Sequence, residues 1–298
     1  MTLLRELFRD QRAGLTVYSP DGAQSRLWGN LDHAIHEATG FQIVRRQWIY
    51  HDINSILRFY RGPDDDPPAK QDPAEAMRKY DNIPADKLQY GHLMVKLLMR
   101  GPSLVTIWRG ENAIPTLLRV KGKTQPAEAG AGSIRGGFWC DNGVCNLIHT
   151  SDDAPEAMRE LAALKLDHWL DEEASQVPLI DPIPAPTAYV AHSGISIVCD
   201  VVKRVLSVGT AKAKPIHLPA SGSAKESNHQ LTVHLRETAA SQAHTAPFID
   251  AFLAGDLIAV TDMLESLPIT SWEHFAIQCG TVNRDRWTSL VRASVFSA

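Results

Sequence analysis

The chain has 298 residues, of which 44% are hydrophobic and 21% charged, and a formal net charge of −4. That is the make-up of a globular protein of one large or two ordinary domains. A charge balance so near neutral gives no global pull toward nucleic acid or an anionic membrane, which excludes both as expected partners. The opening Met1–Asp10 interleaves charges with its apolar residues, unlike a secretion signal, and no apolar run is long enough to cross a bilayer. A cytoplasmic protein is expected. The four cysteines, Cys140, Cys145, Cys199 and Cys279, show no Cys-x-x-Cys pair and read as reduced, partly buried thiols.

In chain order, Leu15-Thr16-Val17-Tyr18 is a short β-branched and aromatic strand that stops at the turn Ser19-Pro20-Asp21-Gly22. Leu27, Leu31, Ala34, Ile35 and Ala38 recur at helical spacing, and Gly40 stops that helix. Phe41–Ile49 predicts a second strand and Asn54–Tyr60 a short helix. Gly62–Pro68 then reads as a solvated acidic, proline-rich loop. Leu88–Met99 is helical and Leu104–Trp108 a buried strand. Glu111-Asn112-Ala113 opens a helix that ends near Gly122. Phe138–Ile148 predicts a hairpin whose tight turn is Asp141-Asn142-Gly143, which also leaves Cys140 and Cys145 able to meet. Asp152 or Asp153 caps a following helix with Pro155 in its first turn and Ala157, Leu161, Leu164 and Leu170 on its inner face.

Val177–Pro186 is the best linker in the chain. Beyond it, Val190–Leu206 predicts a helix, Pro219–Asn228 a polar loop and Leu231–Leu235 a strand. Phe248–Leu267 reads as two short helices parted at Gly255-Asp256. His217, His229, His234, His244 and His274 are dense in this half, but their spacing fits no metal template. The boundaries are therefore a first domain over 1–176, a linker over 177–187 and a second domain over 188–298.

The most informative motif is Asn146-Leu147-Ile148-His149-Thr150-Ser151-Asp152, which sets a histidine just before a helix start with Glu160 later in that helix. A neutral imidazole, with an ordinary pKa of ~6.5, attacks an electrophile such as a terminal phosphate without a separate base. A carboxylate on the other ring nitrogen fixes its tautomer and steadies the charged intermediate. Upstream lie Gly101–Ala113 (Gly-Pro-Ser-Leu-Val-Thr-Ile-Trp-Arg-Gly-Glu-Asn-Ala), Gly122-Lys123-Thr124-Gln125-Pro126-Ala127 and Gly132-Ser133-Ile134-Arg135-Gly136-Gly137-Phe138. In this order the string resembles the nucleoside diphosphate kinase family. Thr16–Gly22 and Gly40–Val44 look like that family's first strand, Lys-Pro-Asp turn and first helix, and the resemblance covers roughly residues 10 to 170.

The resemblance implies an α+β fold: a ferredoxin-like βαββαβ antiparallel sheet, which the element order suits with helices on one face, followed here by a second, smaller α+β domain. It implies transfer of the γ-phosphate of a nucleoside triphosphate, through a phosphohistidine at His149, to a nucleoside diphosphate or related acceptor, with Mg2+ carried by the nucleotide. By the same resemblance Glu160 orients His149 and Ser151 supports that contact. Arg135 and Thr124 hold phosphate oxygens, Asn146 bonds the ribose and phosphate end, and Tyr90 stacks on the base. Tyr60 or Tyr80 stands for the family's other tyrosine. The segment of about 61–89 looks enlarged where the family has a helical hairpin over the base. A homo-oligomer is also implied.

Two departures weaken the phosphate clamp. Ser19 replaces the motif lysine, and Leu118 stands where an arginine is expected, unless a one-residue slip puts Arg119 in the role. Donors of this kind are typically worth ~3 to 4 kcal/mol each in the transition state. Lys121, Lys123 and Arg26 are further candidates to compensate. Ser19 thus supports a second reading, a weak or inactive nucleotide-binding protein with this fold. A third gives the chemistry to the C-terminal half.

Overall fold

The structure, a computed structural model, describes residues 2–61, 78, 82–138, 140–185, 193–206 and 223–296. Its strands are β1 (Ala13–Tyr18), β2 (Gln42–Ile49), β3 (Ser103–Arg109) and β4 (Ile148–Thr150). The helices used below are α1 (Leu4–Arg9), α2 (Pro20–Gln24), α3 (Trp28–Thr39), α4 (Ile53–Arg61), α5 (Tyr90–Leu98), α6 (Ala113–Lys121), α7 (Ile134–Gly137) and α8 (Ala154–Ala163). They continue as α9 (Gly194–Val201), α10 (Ala224–Ser241), α11 (Ala246–Ala254), α12 (Leu257–Leu264), α13 (Ser271–Val282) and α14 (Arg284–Phe296). No helix among the described residues is long and apolar enough to cross a membrane.

The chain divides into two compact units. The first holds Met1–Asn82, Met94–Lys121 and Leu147–Ala188, and the second Ile83–Leu93, Gly122–Asn146 and Tyr189–Ala298. Segments 83–93 and 122–146, which the sequence reading kept with the N-terminal domain, thus group with the C-terminal helices.

In the first unit the strands form one antiparallel sheet in the order β2-β3-β1-β4. With α3 between β1 and β2 and α6 between β3 and β4, this is the ferredoxin-like βαββαβ arrangement. The central strands β1 and β3 are buried almost throughout, which explains their largely apolar sequences. Side chains alternate across a strand. Leu15, Val17, Val105 and Ile107 therefore share one face, where they pack with Leu4, Leu7 and Phe8 of α1, Phe59 of α4 and Leu161 of α8. Thr16, Tyr18 and Thr106 point the other way, toward α3 and Asp32. Helices thus cover both faces rather than one, because α1, which the sequence reading left unassigned, joins α4 and α8 opposite α3.

Asp32 is the polar centre of the α3 face. Fully buried, it accepts hydrogen bonds from Tyr18 Oη at 2.8 Å, Arg46 Nη2 at 2.6 Å and the Ile183 amide at 2.7 Å. The last of these, with the bridge between Ile43 and Ile180, fixes the described part of the proline-rich segment against α3 and β2.

The second unit is helical among its described residues. Ile195, Val198, Leu231, Leu235, Ile249, Phe252, Val260 and Ile277 form its core. Gly194 of α9 and Gly280 of α13 let those helices touch at the backbone, since a Cβ built on Gly194 falls 2.7 Å from the Gly280 Cα. The paired helices predicted around Gly255 are present as α11 and α12, and Gly255 has the φ of 74° that closes a helix. The predicted strand at 231–235 is instead the middle of α10. In this 18-residue helix the buried residues Ala224, Asn228, Leu231 and Leu235 recur every three or four positions, and Val233, which alternation would bury, is 39% exposed. A five-residue window is too short to separate the two periods. The loop read to Asn228 is likewise helical from Ala224, and the helix read over Val190–Leu206 is described as α9 and a π-helical turn, Val202–Leu206.

Two outcomes follow for stability. Asp32→Ala strands the Arg46 guanidinium, and its unfolding free energy in urea should fall by about 3–5 kcal/mol, the usual result of breaking a buried pair. His51 is 9% exposed, contacts Ser103 Oγ through Nε2 at 3.0 Å, and has its pKa lowered from 6.5 to about 4 by burial. The folded state favours the neutral ring, so this contribution is complete above pH 6.5 and is lost as pH falls toward 4. The loss should reach about 3 kcal/mol. Urea titrations across that range should show a His51→Gln variant without this part of the slope.

Candidate active site

The turn after β1 controls how the chain enters β4. Leu147 has φ 72°, a left-handed conformation that a non-glycine residue holds at a cost of roughly 1–3 kcal/mol. Two hydrogen bonds hold it there: the Leu147 amide donates to Asp21 Oδ2 at 2.8 Å, and its carbonyl accepts the Ser19 amide at 3.0 Å. From this kink β4 pairs with β1 so that His149 lies opposite Val17. The imidazole therefore faces the side on which Phe59 and α8 pack.

Asp153, not Asp152, caps α8 by accepting the Glu156 amide, and Pro155 occupies the first turn. Glu160 then falls on the buried face beside Ala157 and Leu161. Its side chain is 1% exposed, while that of His149 is 26% exposed. Glu160 Oε1 lies 2.7 Å from His149 Nε2, and Oε2 accepts Ser151 Oγ at 2.5 Å. Both carboxylate oxygens are engaged. An acceptor at Nε2 puts the ring hydrogen there and leaves the lone pair on Nδ1, which is the form a nucleophilic imidazole needs.

Aromatic rings bound His149 on another side. Phe59 stands edge-on at 5.0 Å between centroids and Tyr60 at 6.4 Å. Arg159 of α8 holds that end of α4, donating to the carbonyls of Arg58 and, at 2.8 Å, Phe59. The same guanidinium pairs with Glu156 and keeps that carboxyl below its ordinary pKa. Tyr80, the other tyrosine considered, lies outside the described residues, as does most of the enlarged segment.

Of the cations considered as compensation for the weakened clamp, Arg26, Arg119 and Lys123 are exposed. Lys121 is 8% exposed, with Nζ 3.4 Å from the Thr150 carbonyl, next to His149 in the chain. Sequence reasoning gave it no priority, since nothing in its neighbourhood distinguishes it from an ordinary helix-end lysine.

The second unit gathers the other predicted residues. Arg135, on α7 and 4% exposed, donates from Nη2 to Asn146 Oδ1 at 3.2 Å and from Nε to the Asn146 carbonyl at 3.4 Å. Asn146 Nδ2 donates to the carbonyls of Gly143 at 2.8 Å and Thr124 at 3.4 Å, and Tyr90 Oη reaches the Gly143 carbonyl at 2.9 Å. The structure thus brings the expected residues together in two groups: His149, Ser151 and Glu160 in the first unit, and Tyr90, Thr124, Arg135 and Asn146 in the second. Arg119 lies in the first unit, exposed near the end of α6.

Residues 140–147 do not form the predicted hairpin. Asn142 Oδ1 accepts the amides of Val144 at 3.0 Å and Cys145 at 2.7 Å, taking the groups a strand ladder would need. Asn142 Nδ2 donates to Asp141 Oδ1 at 2.7 Å, and Asp141 accepts the first amides of α9, Gly194 at 3.0 Å and Ile195 at 2.8 Å. A carboxylate is well suited to a helix start. All four cysteines are buried and none is in a disulfide. Among the described residues no group of three His, Cys, Asp or Glu side chains could hold a metal ion, and His217 lies outside them.

The sequence profile described as "Nucleoside diphosphate kinase" matches residues 70–167. "Nucleoside diphosphate kinase 3" of Homo sapiens is 32% identical over 152 residues, 51% of this chain and 75% of that protein. "Nucleoside diphosphate kinase" of Methanobrevibacter smithii is 43% identical over 145 residues, 49% of this chain and 81% of that one. The chain belongs to the nucleoside diphosphate kinase family. A solved nucleoside diphosphate kinase from Encephalitozoon cuniculi aligns with 55% of this chain and 94% of its own, at 19% identity and a TM-score of 0.42. The profile match contains His149, Glu160, Ser151, Asn146, Arg135, Thr124 and Tyr90, and it ends before the C-terminal helices.

Asp141→Ala removes two hydrogen bonds at the start of α9 together with their charge. Hydrogen exchange at Gly194 and Ile195 should accelerate by about 10- to 100-fold, matching ~1.5–3 kcal/mol for bonds to a charged group.

Proposed function

We propose that this chain is a nucleoside diphosphate kinase-like phosphotransferase acting through a phosphohistidine at His149. The observation that carries the reading is the 2.7 Å contact of Glu160 with His149 Nε2, which leaves Nδ1 as the nitrogen with a lone pair. Family membership supplies the class of reaction.

Nδ1 attacks the γ-phosphorus of a nucleoside triphosphate. The bond to the β–γ bridging oxygen breaks, and the diphosphate leaves with that electron pair. An oxygen of the terminal phosphate of an acceptor diphosphate then attacks the phosphohistidine and returns the imidazole. The positive charge that grows on the ring in each step is met by the Glu160 carboxylate, itself held by Ser151. In this reading Arg135, Thr124 and Asn146 hold phosphate and ribose oxygens, Tyr90 stacks on the base, and Arg119 assists the phosphates. Magnesium enters with the nucleotide as part of the substrate. Mg2+ commonly keeps its waters and binds through substrate phosphates.

Ser19 favours the second reading, nucleotide binding with slow transfer, because it brings no ammonium to the phosphoryl group. Incubation with γ-labelled ATP and magnesium distinguishes them. The expected result is acid-labile, base-stable label on His149, discharged by added nucleoside diphosphates and absent from His149→Ala. Glu160→Gln should label about 10- to 100-fold more slowly, the equivalent of losing a charged hydrogen bond. Nucleotide binding without label would favour the second reading, and label that survives His149→Ala would refute the first.

A further inference from the structure

Within the second unit, α10 and α14 enclose a groove of about 250 Å³. Lys225, Asn228, His229, Thr232 and Arg236 enter it from α10 at positions that share one helix face. From α14 come Arg284, Trp287, Thr288 and Val291. Among the described residues no carboxylate lines it.

The groove is built rather than incidental. Arg284 is 5% exposed and fixed at three points: Nη1 donates to Asn228 Oδ1 at 3.3 Å, Nη2 donates to Thr232 Oγ1 at 2.8 Å, and the guanidinium lies 5.4 Å from the centroid of the Phe252 ring. Asn228 is 1% exposed, and its Nδ2 has no hydrogen-bond partner among the described residues. Neither Lys225, Arg236 nor Arg284 forms an ion pair with a carboxylate among those residues. Burial is the first cause that lowers the Arg284 pKa, Asp141 opposes it, and Arg236 adds a smaller like-charge repulsion.

A buried cation beside further cations and a spare amide donor is an unfavourable arrangement that an acceptor-rich anion would relieve. Guanidinium forks match the oxygens of phosphate groups. Trp287, 8% exposed, and Val291 give the groove an apolar wall. Its volume falls below the ~300 Å³ at which sites for whole drug-sized ligands begin, so it fits a phosphate head better than a complete nucleotide. We propose that the groove between α10 and α14 is an anion site that takes the phosphate or diphosphate group of a small phosphorylated ligand.

The test is a titration of the full chain with inorganic phosphate and with pyrophosphate, followed by calorimetry and tryptophan fluorescence. One of the two anions should bind and alter the fluorescence. Lys225→Gln combined with Arg236→Gln should weaken that binding at least tenfold, and Trp287→Phe should remove the fluorescence change. Labelling of His149 by γ-labelled ATP should be unaffected in all these variants, which separates this site from the phosphotransfer reading. Arg236→Gln alone, on an exposed side chain, replaces the double variant if circular dichroism shows the latter misfolded. No binding of either anion at millimolar concentration, or binding equally tight in the groove variants, would overturn the proposal.

Discussion

A buried carboxylate with both oxygens engaged is the constraint on which the first unit's chemistry rests. At 1% exposure an ionised Glu160 is tolerable only if its oxygens are met, and His149 and Ser151 meet one each. The demand runs both ways: the carboxylate needs these donors, and the imidazole gains a fixed tautomer and a counter-charge. The cap of α8 at Asp153 sets the height of Glu160 on its helix, so a local feature of the chain fixes a distance eleven residues back in sequence.

Two further side chains, Arg159 and Asp21, support this pair through the backbone around it. Arg159 ties the end of α4 to α8 and so places Phe59 and Tyr60 beside the imidazole. Asp21 does comparable work at the chain's entry into β4. Its Oδ2 accepts the Leu147 amide in the segment leading to His149.

Much of this was legible in the sequence, for physical reasons that differ by element. β1, β3 and the helix before Gly40 announce themselves because burial on both faces, or 3.6-residue spacing with a stop, leaves an unambiguous pattern. The pairing of His149 with Glu160 was readable because both sit on one short strand–helix unit, where spacing fixes approach. Asp141 was not. Asp-Asn-Gly spells a tight turn in any local reading, and its true partners, the amides of Gly194 and Ile195, are more than fifty residues away. α10 failed for the opposite reason, since a five-residue alternation imitated a strand inside an 18-residue helix. The tie from Arg159 to α4 left no signal, because its acceptors there are backbone carbonyls a hundred residues back, and only the pair with Glu156 is local.

The left-handed backbone at Leu147 has a bearing on chain length. Side chains in a strand point alternately to opposite faces, and β4 is only three residues long, so the phase with which the chain enters it decides where the imidazole goes. One residue added or lost between Asn142 and Ile148 would shift that phase and present Ile148 or Thr150 to Glu160 while the histidine turned toward α6. The number of residues in this segment therefore matters to the pair as much as their types do.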